Sequence, residues 1–426
     1  MCDYAESRGF KCGLILVVVI GELLTGTCVA KAVEWDGHVK YQPVVMQFPD
    51  NSFYLNYIDS PSIDHNVDTR LNLGLSGNAV TLEASYQLIM KSGDSVRLYD
   101  QLAGLEIIAP FYPDDSRRVM NLTHYLIDDG ERLLVQRLDR LSLSYALDSA
   151  VFKVGRQAIS WGNGLMFNPM DFFNPFDPTA VDKEYKTGDD MIYGQYLFDS
   201  GNDMQVVAVG RRNVEGELSR DVSSYAAKFH GFMGRQEVDI LVSQHYEDTL
   251  LALGGIWSPG GTVIRSDIVV TKTPRDNYVS VLANISYAWM SFGKNISAMA
   301  EVFYNGFGIS DGEYGPDALL QNPDLLLRLS RSESFNLAQQ YVAASATIEL
   351  HPLWLFTPNI FYNINDQSAL VQLISSHDVS ESAQCLLSVN MPLGPEGSEF
   401  GGIDSGQENI YLSSGASVFA QFSWYF

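Results

Sequence analysis

The chain has 426 residues, of which 46% are hydrophobic, 12% aromatic and 18% charged, against about 25% charged in an ordinary globular domain. Its 51 acidic and 27 basic residues leave a net charge of −24, which excludes a nucleic-acid binder because phosphate neutralisation needs a basic face. No stretch after residue 30 reaches the roughly 18–20 uninterrupted apolar residues of a spanning helix, so the aromatic surplus points to strands that give every second residue to lipid.

Residues 1–32 read as a cleaved secretory leader. Arg8 and Lys11 precede the apolar run Cys12–Gly21, Glu22 interrupts it, and Ala30-Lys31-Ala32 has the small-x-small spacing of a cleavage site. Asp3 and Glu6 are atypical before such a run. Lipid attachment at Cys28 is the alternative, but the residue before it, Thr27, is not the small one expected there. Cys2, Cys12 and Cys28 fall within this leader, so Cys385 alone would remain, with no internal disulfide and no cysteine metal cluster. An exported chain without staples fits a closed, hydrogen-bonded barrel in lipid. Residues 33–426 form a single domain, with 33–50 a short lead and strands beginning at about 51.

A first strand is expected near 51–58 and a second near 70–77, where Leu71, Leu73 and Leu75 alternate with polar or small partners before Ser76-Gly77-Asn78. Val80, Leu82, Ala84, Tyr86 and Leu88 then interleave with Glu83, Ser85 and Gln87. Leu141, Leu143, Tyr145 and Leu147 lead through Asp148-Ser149 into a strand near 150–160. Further pairs are expected at 190–199 with 203–213, 222–232 with 235–246, 249–258 with 262–272, 278–290 with 294–307 and 337–350 with 353–365, joined by short turns such as Pro259-Gly260-Gly261. The terminal strand, 415–426, carries Val418, Ala420, Phe422, Trp424 and Phe426 on one face, and the sequence stops on phenylalanine. Sixteen strands count from residue 79, eighteen in all, with sixteen the alternative total: an all-β, transmembrane antiparallel β-barrel.

That last strand resembles the membrane-insertion signal of bacterial outer-membrane barrels, carried here by Phe422, Trp424 and Phe426. It implies a periplasmic end for the terminal strand. The connections 91–133, 161–188, 308–336 and 394–414 then all lie outside, and the short turns on the periplasmic side.

One region departs from barrel grammar. It runs from Gly155-Arg156-Gln157 through Trp161-Gly162 and Phe167-Asn168-Pro169-Met170-Asp171-Phe172-Phe173-Asn174-Pro175 to Asp182-Lys183-Glu184, with Arg137-Leu138-Asp139-Arg140 before it. Asn168-Pro169, Asn174-Pro175 and Asp177-Pro178 each force a turn, and Phe167, Phe172, Phe173 and Phe176 cannot all face water. An ordered loop over 161–188 that folds inward and narrows the pore is expected, tethered by Arg140, Arg156, Asp182, Lys183 and Glu184. This stretch resembles the GRQ…WG…NPxDxFNP loop of uncharacterised proteobacterial porin-like outer-membrane barrels, near the alginate-export and large-barrel porin families. The resemblance implies a channel in the bacterial outer membrane. It does not carry the alginate assignment, because a polyanion conduit would line its pore with basic residues.

The inward face is assigned Glu83, Arg140, Arg211, Lys228, His230, Glu237, Asp239, Arg265, Asp267, Glu301 and Glu349, with opposite signs interspersed. A basic residue facing lipid at the midplane would cost about 2–4 kcal/mol. Tyr86, Tyr145, Tyr287, Trp289, Trp354, Tyr362 and Trp424 suit interfacial girdles. No GxSxG, HExxH or cysteine pair is present, and no cofactor, metal or catalytic residue is expected. The expected function is passage of small polar solutes or ions. The alternative is a structural sheath or scaffold, enclosing a multihaem cytochrome or anchoring a surface assembly. Expected partners are outer-membrane lipid, lipopolysaccharide, the barrel-assembly machinery and the solute, with a periplasmic or multihaem protein under the alternative.

Overall fold

Alternation in these segments drives strand pairing because each strand buries one face inside a ring and turns the other outward. The computed structural model describes residues 32–102 and 113–426. In chain order the strands are β1 (Ala32–Met46), β2 (Ser62–Ser76), β3 (Val80–Gly93), β4 (Thr123–Asp128), β5 (Arg132–Ala146), β6 (Ala150–Gln157), β7 (Asp189–Leu197), β8 (Asp203–Val209), β9 (Ser224–Met233), β10 (Gln236–His245) and β11 (Asp248–Trp257). They continue with β12 (Val263–Lys272), β13 (Asn277–Ser291), β14 (Lys294–Tyr304), β15 (Gln340–His351), β16 (Trp354–Asn363), β17 (Ser368–Ser380), β18 (Ala383–Leu393), β19 (Ile403–Gln407), β20 (Ile410–Leu412) and β21 (Ser417–Tyr425). Eighteen of these form one closed antiparallel barrel. β3 pairs directly with β5, and β21 pairs with both β18 and β1 to close the ring. β4 lies against the part of β5 that β6 does not reach, and β19–β20 is a hairpin within a connection.

The outer face is apolar in the alternating sense required. Ile240 and Val242 on β10, Leu251 and Leu253 on β11, and Ile268 and Val270 on β12 are exposed, while Asp239, Ser243, Ala252, Asp267 and Thr271 between them are buried. Exposed Trp35, Trp257, Trp289, Trp354 and Trp424 all stand towards the end with short turns, where an amphipathic ring meets a membrane boundary. Tyr41, Tyr225, Tyr304 and Tyr362 are exposed towards the long-loop end. The expected girdle residues Tyr86, Tyr145 and Tyr287 are exposed too, as are Phe422 and Phe426 of the terminal strand.

The strand count of eighteen holds, and the first two strands lie elsewhere than expected. Residues 33–50 are not a lead: Ala32–Met46 is β1, paired along its length with β2. Residues 51–58 are not a strand either. Phe53–Asn56 is one turn of 3-10 helix, with Phe53 edge-on to Tyr54 and close to Tyr57, and Phe48 edge-on to Tyr54. The strand expected at 70–77 is the second half of β2, which starts at Ser62. Residues 1–31 of the expected leader lie outside the described residues.

Long connections gather at one end, as the sequence parity required. They are 47–61, 94–131, 158–188, 210–223, 305–339 and 394–416. The 305–339 connection carries two short helices, Pro316–Leu320 and Pro323–Ser330.

Candidate functional site

The site is built on segment 158–188, between β6 and β7. Its backbone leaves the sheet where proline and glycine make a ladder untenable, and its polar groups are then satisfied by the inward side chains of distant strands. Asn163 donates its backbone N–H to Asp267 Oδ2 (2.7 Å) and its Nδ2 to Asp267 Oδ1 (2.7 Å) and Asp239 Oδ2 (3.3 Å). The consecutive N–H groups of Leu165, Met166 and Phe167 donate to Glu301 at 2.9, 3.1 and 2.7 Å. One carboxylate thus satisfies three backbone donors that no ladder can, and Asn284 donates to it as well at 3.0 Å.

Apolar contacts follow the same path. Trp161 donates its indole N–H to Gln205 Oε1 (2.8 Å) and stands edge-on to Phe172 and Phe173. With Met170 these rings are buried against Leu241, Leu250, Ala252 and Val269 of β10 to β12. Phe167 stacks on Phe303 with centroids 4.9 Å apart and joins a second cluster with Tyr314, Leu325 and Tyr341.

The far arm of the segment reaches the seam. Asp182 and Glu184 both accept from Lys40 Nζ, at 2.6 and 2.7 Å, and Tyr425 Oη donates to Glu184 at 3.1 Å. Thr179 O accepts from Gln372 Nε2 (2.9 Å), and Arg70 lies 3.9 Å over the Tyr185 ring. Lys186 closes the base by donating to Ile159 O (2.6 Å) and pairing with Asp171.

The anchoring charges form separate clusters rather than one network. Arg156, fully buried, pairs with Asp190 (2.8 Å) and Asp115 (2.7 Å). Arg140 pairs with Asp139 (2.7 Å), which also takes Arg70 (2.8 Å) and Arg137, and donates to Lys186 O. Lys183 donates to Pro178 O (2.8 Å), within the segment itself. Burial works against the Asp115 charge, yet Arg156 and Arg118 overcome it and hold this carboxyl at about 2. Burial dominates at Asp171 and pushes it up to about 6 despite Lys186. Glu184 is resisted by burial and drawn below its usual range by Lys40.

Among the other inward expectations, Lys228 and His230 both meet Asp239 (3.0 and 2.9 Å), and Glu83 pairs with Lys153. Arg265 donates to Ser286 (2.9 Å), and Glu349 accepts from Asn295 (2.8 Å). Glu237 is half-buried on the Asp239 side of β10. Arg211 lies just past β8, paired with Asp189 (2.7 Å). Sequence reasoning missed Lys40, Arg70 and Asp115, and named Asp139 only as part of the motif, without its role. The alternation of Val33, Trp35, Val39 and Tyr41 was the signal that would have placed Lys40 on an inner face.

Beside the far arm two cavities remain, of about 500 and 300 Å³, sharing Met46, Asn390 and Ser417 in their walls. The first is also lined by Lys40, Gln42, Gln87 and Tyr185. A third, of about 840 Å³, opens among the long loops beside Asp311, Glu313, Asp317, Asp366, Glu396 and Asp404.

A closed barrel of eighteen strands with an apolar outer belt and a polar inner face has the fold of bacterial outer-membrane barrels. Solved structures bear this out. The chain is similar to a BenF-like porin from Pseudomonas fluorescens Pf-5 (TM-score 0.51, 7% identity, 93% of this chain and 99% of that one). It is similar to OccAB1 of Acinetobacter baumannii (0.51, 8%, 94% and 98%). It is also similar to Wzi of Escherichia coli, described as an outer-membrane protein of group 1 capsule assembly and a carbohydrate-binding β-barrel (0.53, 10%, 99% and 89%). No protein-family model and no curated protein matches the sequence.

Proposed function

We propose that the chain is an outer-membrane channel for small polar solutes or ions, and that segment 158–188 is its constriction. The observation that carries this reading is the pair of anchors at Asp267 on β12 and Lys40 on β1. These strands stand nearly opposite in ring order, and one segment is bonded to both. A chain held across a lumen limits what passes by size and by the field of the groups beside it. The short-turn end, where β21 finishes, faces the periplasm in this reading, and the long loops face outward. The carboxylates around the 840 Å³ loop cavity favour a weak preference for cations. The porin structures similar to this one support passage as the function, and the loop motif of residues 155–188 supports kinship with the porin-like barrels it resembles.

The test is single-channel conductance of the refolded protein in a planar bilayer, with the reversal potential under a salt gradient. Discrete openings and a reversal potential of cation-selective sign are expected, and deleting 163–180 raises the conductance. A silent bilayer from protein shown to be folded and inserted overturns the channel. It leaves the second reading, a surface-assembly barrel, for which the likeness to Wzi speaks.

A further inference from the structure

The two sides of the barrel interior differ in chemistry. From β6 to β14 most inward charges are held by buried partners: Arg156 by Asp115 and Asp190, Lys228 by Asp239, Glu301 by three backbone amides. The exceptions are Arg265, bonded to the neutral Ser286, and the half-buried Glu237. Along β16, β17, β18, β21 and β1 the middle of the inner face is instead neutral: Asn359, Gln372, Asn390, Ser417, Gln421 and Gln42.

These side chains form a hydrogen-bonded band that crosses the strands. Asn359 donates to Gln372 (2.9 Å), Gln372 to Asn390 (3.0 Å), and Asn390 to Ser417 (3.1 Å), while Gln42 donates to Gln421 (2.7 Å). An amide has two donor hydrogens and two acceptor sites. Gln42 spends both donors on Asp182 and Gln421, and Gln372 both on Thr179 O and Asn390, so what the band keeps for a guest is the second donor of Asn390 and the acceptor oxygen of Gln42. The two adjoining cavities lie along this band, with Asn390 and Ser417 in both walls and Gln42 and Gln87 in the larger. Tyr185 and Phe419 add ring faces to the larger cavity, and its cation, Lys40, is already matched by Asp182 and Glu184.

We propose, on the basis of the channel reading above, that this passage binds neutral polyhydroxylated solutes of oligosaccharide type. A sugar hydroxyl both donates and accepts, as an amide does, and the apolar face of a pyranose ring packs on an aromatic one. A volume of about 500 Å³ is within the range of small-molecule sites. An anionic solute of the same size finds no unmatched cation there to replace its hydration, since Lys40 is held by Asp182 and Glu184 and Asp68 adds a further carboxylate to the wall.

The test uses the whole protein in a planar bilayer, with maltotriose as the neutral probe and lactobionate as an anionic sugar probe. Maltotriose is expected to interrupt the ion current in a concentration-dependent way, and lactobionate to do so more weakly. Each variant's sugar-free current serves as its own reference. Asn390→Leu and, separately, Gln87→Leu are expected to weaken maltotriose block by about three- to tenfold, the worth of one neutral hydrogen bond, and Asn390→Gln to restore part of it. Current that maltotriose leaves unchanged, equal or stronger block by lactobionate, or full block in both leucine variants overturns the inference while leaving the channel standing. A silent bilayer overturns the channel, and this inference with it.

Discussion

At the scale of single residues, the interior is organised by charges that cannot be removed one at a time. Arg156 has no exposed surface and holds two carboxylates, so Arg156→Met leaves Asp190 buried without its partner, while Asp115 keeps Arg118. Breaking such a pair costs about 3–5 kcal/mol, and the added substitution Asp190→Asn should recover a good part of it. Denaturant unfolding of the three proteins in the same lipid measures this, and equal losses in the single and double variants would deny the pairing. The same cluster sets an acid limit. Asp115 sits at about 2 in the fold against an ordinary 3.8, so its contribution is complete above the unfolded value. It is lost as pH falls from 3.8 towards 2, a matter of about 2 kcal/mol. None of these partnerships was legible in the sequence. The composition showed that charges must be inside and mixed in sign, but alternation along one strand gives a residue's face and not its neighbour across strands.

At the scale of elements, hairpins were legible where apolar and polar residues alternated cleanly, and illegible where the inner face was crowded with charge. β1 places Glu34, Asp36, His38 and Lys40 inward and carries Pro43, ordinarily an argument against a strand. The β1–β21 ladder omits Gln42 and Pro43, which accommodates the missing N–H. Inward Asp64, Asn66 and Asp68 hid the start of β2 in the same way. The apolar run around Phe53 satisfied its rings against one another and so needed no sheet. The 158–188 segment was legible as a non-strand loop with buried aromatics, because its prolines and phenylalanines admit little else. The outward face makes its own prediction. Leu253 is exposed mid-strand between Ile240 and Ile268, so Leu253→Arg should cost about 2–4 kcal/mol in a bilayer. Folding equilibria in phospholipid vesicles read this directly, and an unchanged stability would mean that this belt does not meet lipid.

A connection makes the complementary prediction. Glu399 ties the 394–416 loop to 305–339 by accepting from Leu337 N–H (2.9 Å), and to the barrel by accepting from Tyr341 Oη of β15 (2.6 Å) and Asn363 Nδ2 of β16 (2.8 Å). Burial, reinforced by Asp366 and opposed by these donors, lifts its carboxyl to about 7 from an ordinary 4.5. A group raised in the fold stabilises it fully below the unfolded value, and that contribution disappears as pH rises through about 7. Loop cleavage by an added protease should therefore quicken as pH rises from about 4.5 to about 7 and level off above that, and Glu399→Gln should flatten the profile. A slope that survives the substitution would assign the pH response to another group.

At the scale of the whole molecule, everything depends on closure, since an open sheet would expose two unpaired edges to lipid. The seam is β1 against β21, and Gly37 is a close approach within it. Gly37 exchanges backbone hydrogen bonds with Phe426 at 3.0 and 3.1 Å, the first donated by its own N–H. A Cβ on Gly37 would stand 2.3 Å from Arg70 O and 2.7 Å from the Phe426 ring, whereas one on Gly74 of β2 would meet nothing nearer than 3.9 Å. Overpacking of this kind costs typically about 1–3 kcal/mol, and here it falls on the pairing that ends barrel assembly. Gly37→Ala should therefore slow or prevent formation of the compact, heat-modifiable form seen on cold electrophoresis, while Gly74→Ala folds as the parent does. The comparison also decides between two roles for residues 33–50. A lead outside the sheet would tolerate both substitutions alike, but a closing strand is sensitive at Gly37 and not at Gly74, because the backbone at Gly37 presses against Phe426.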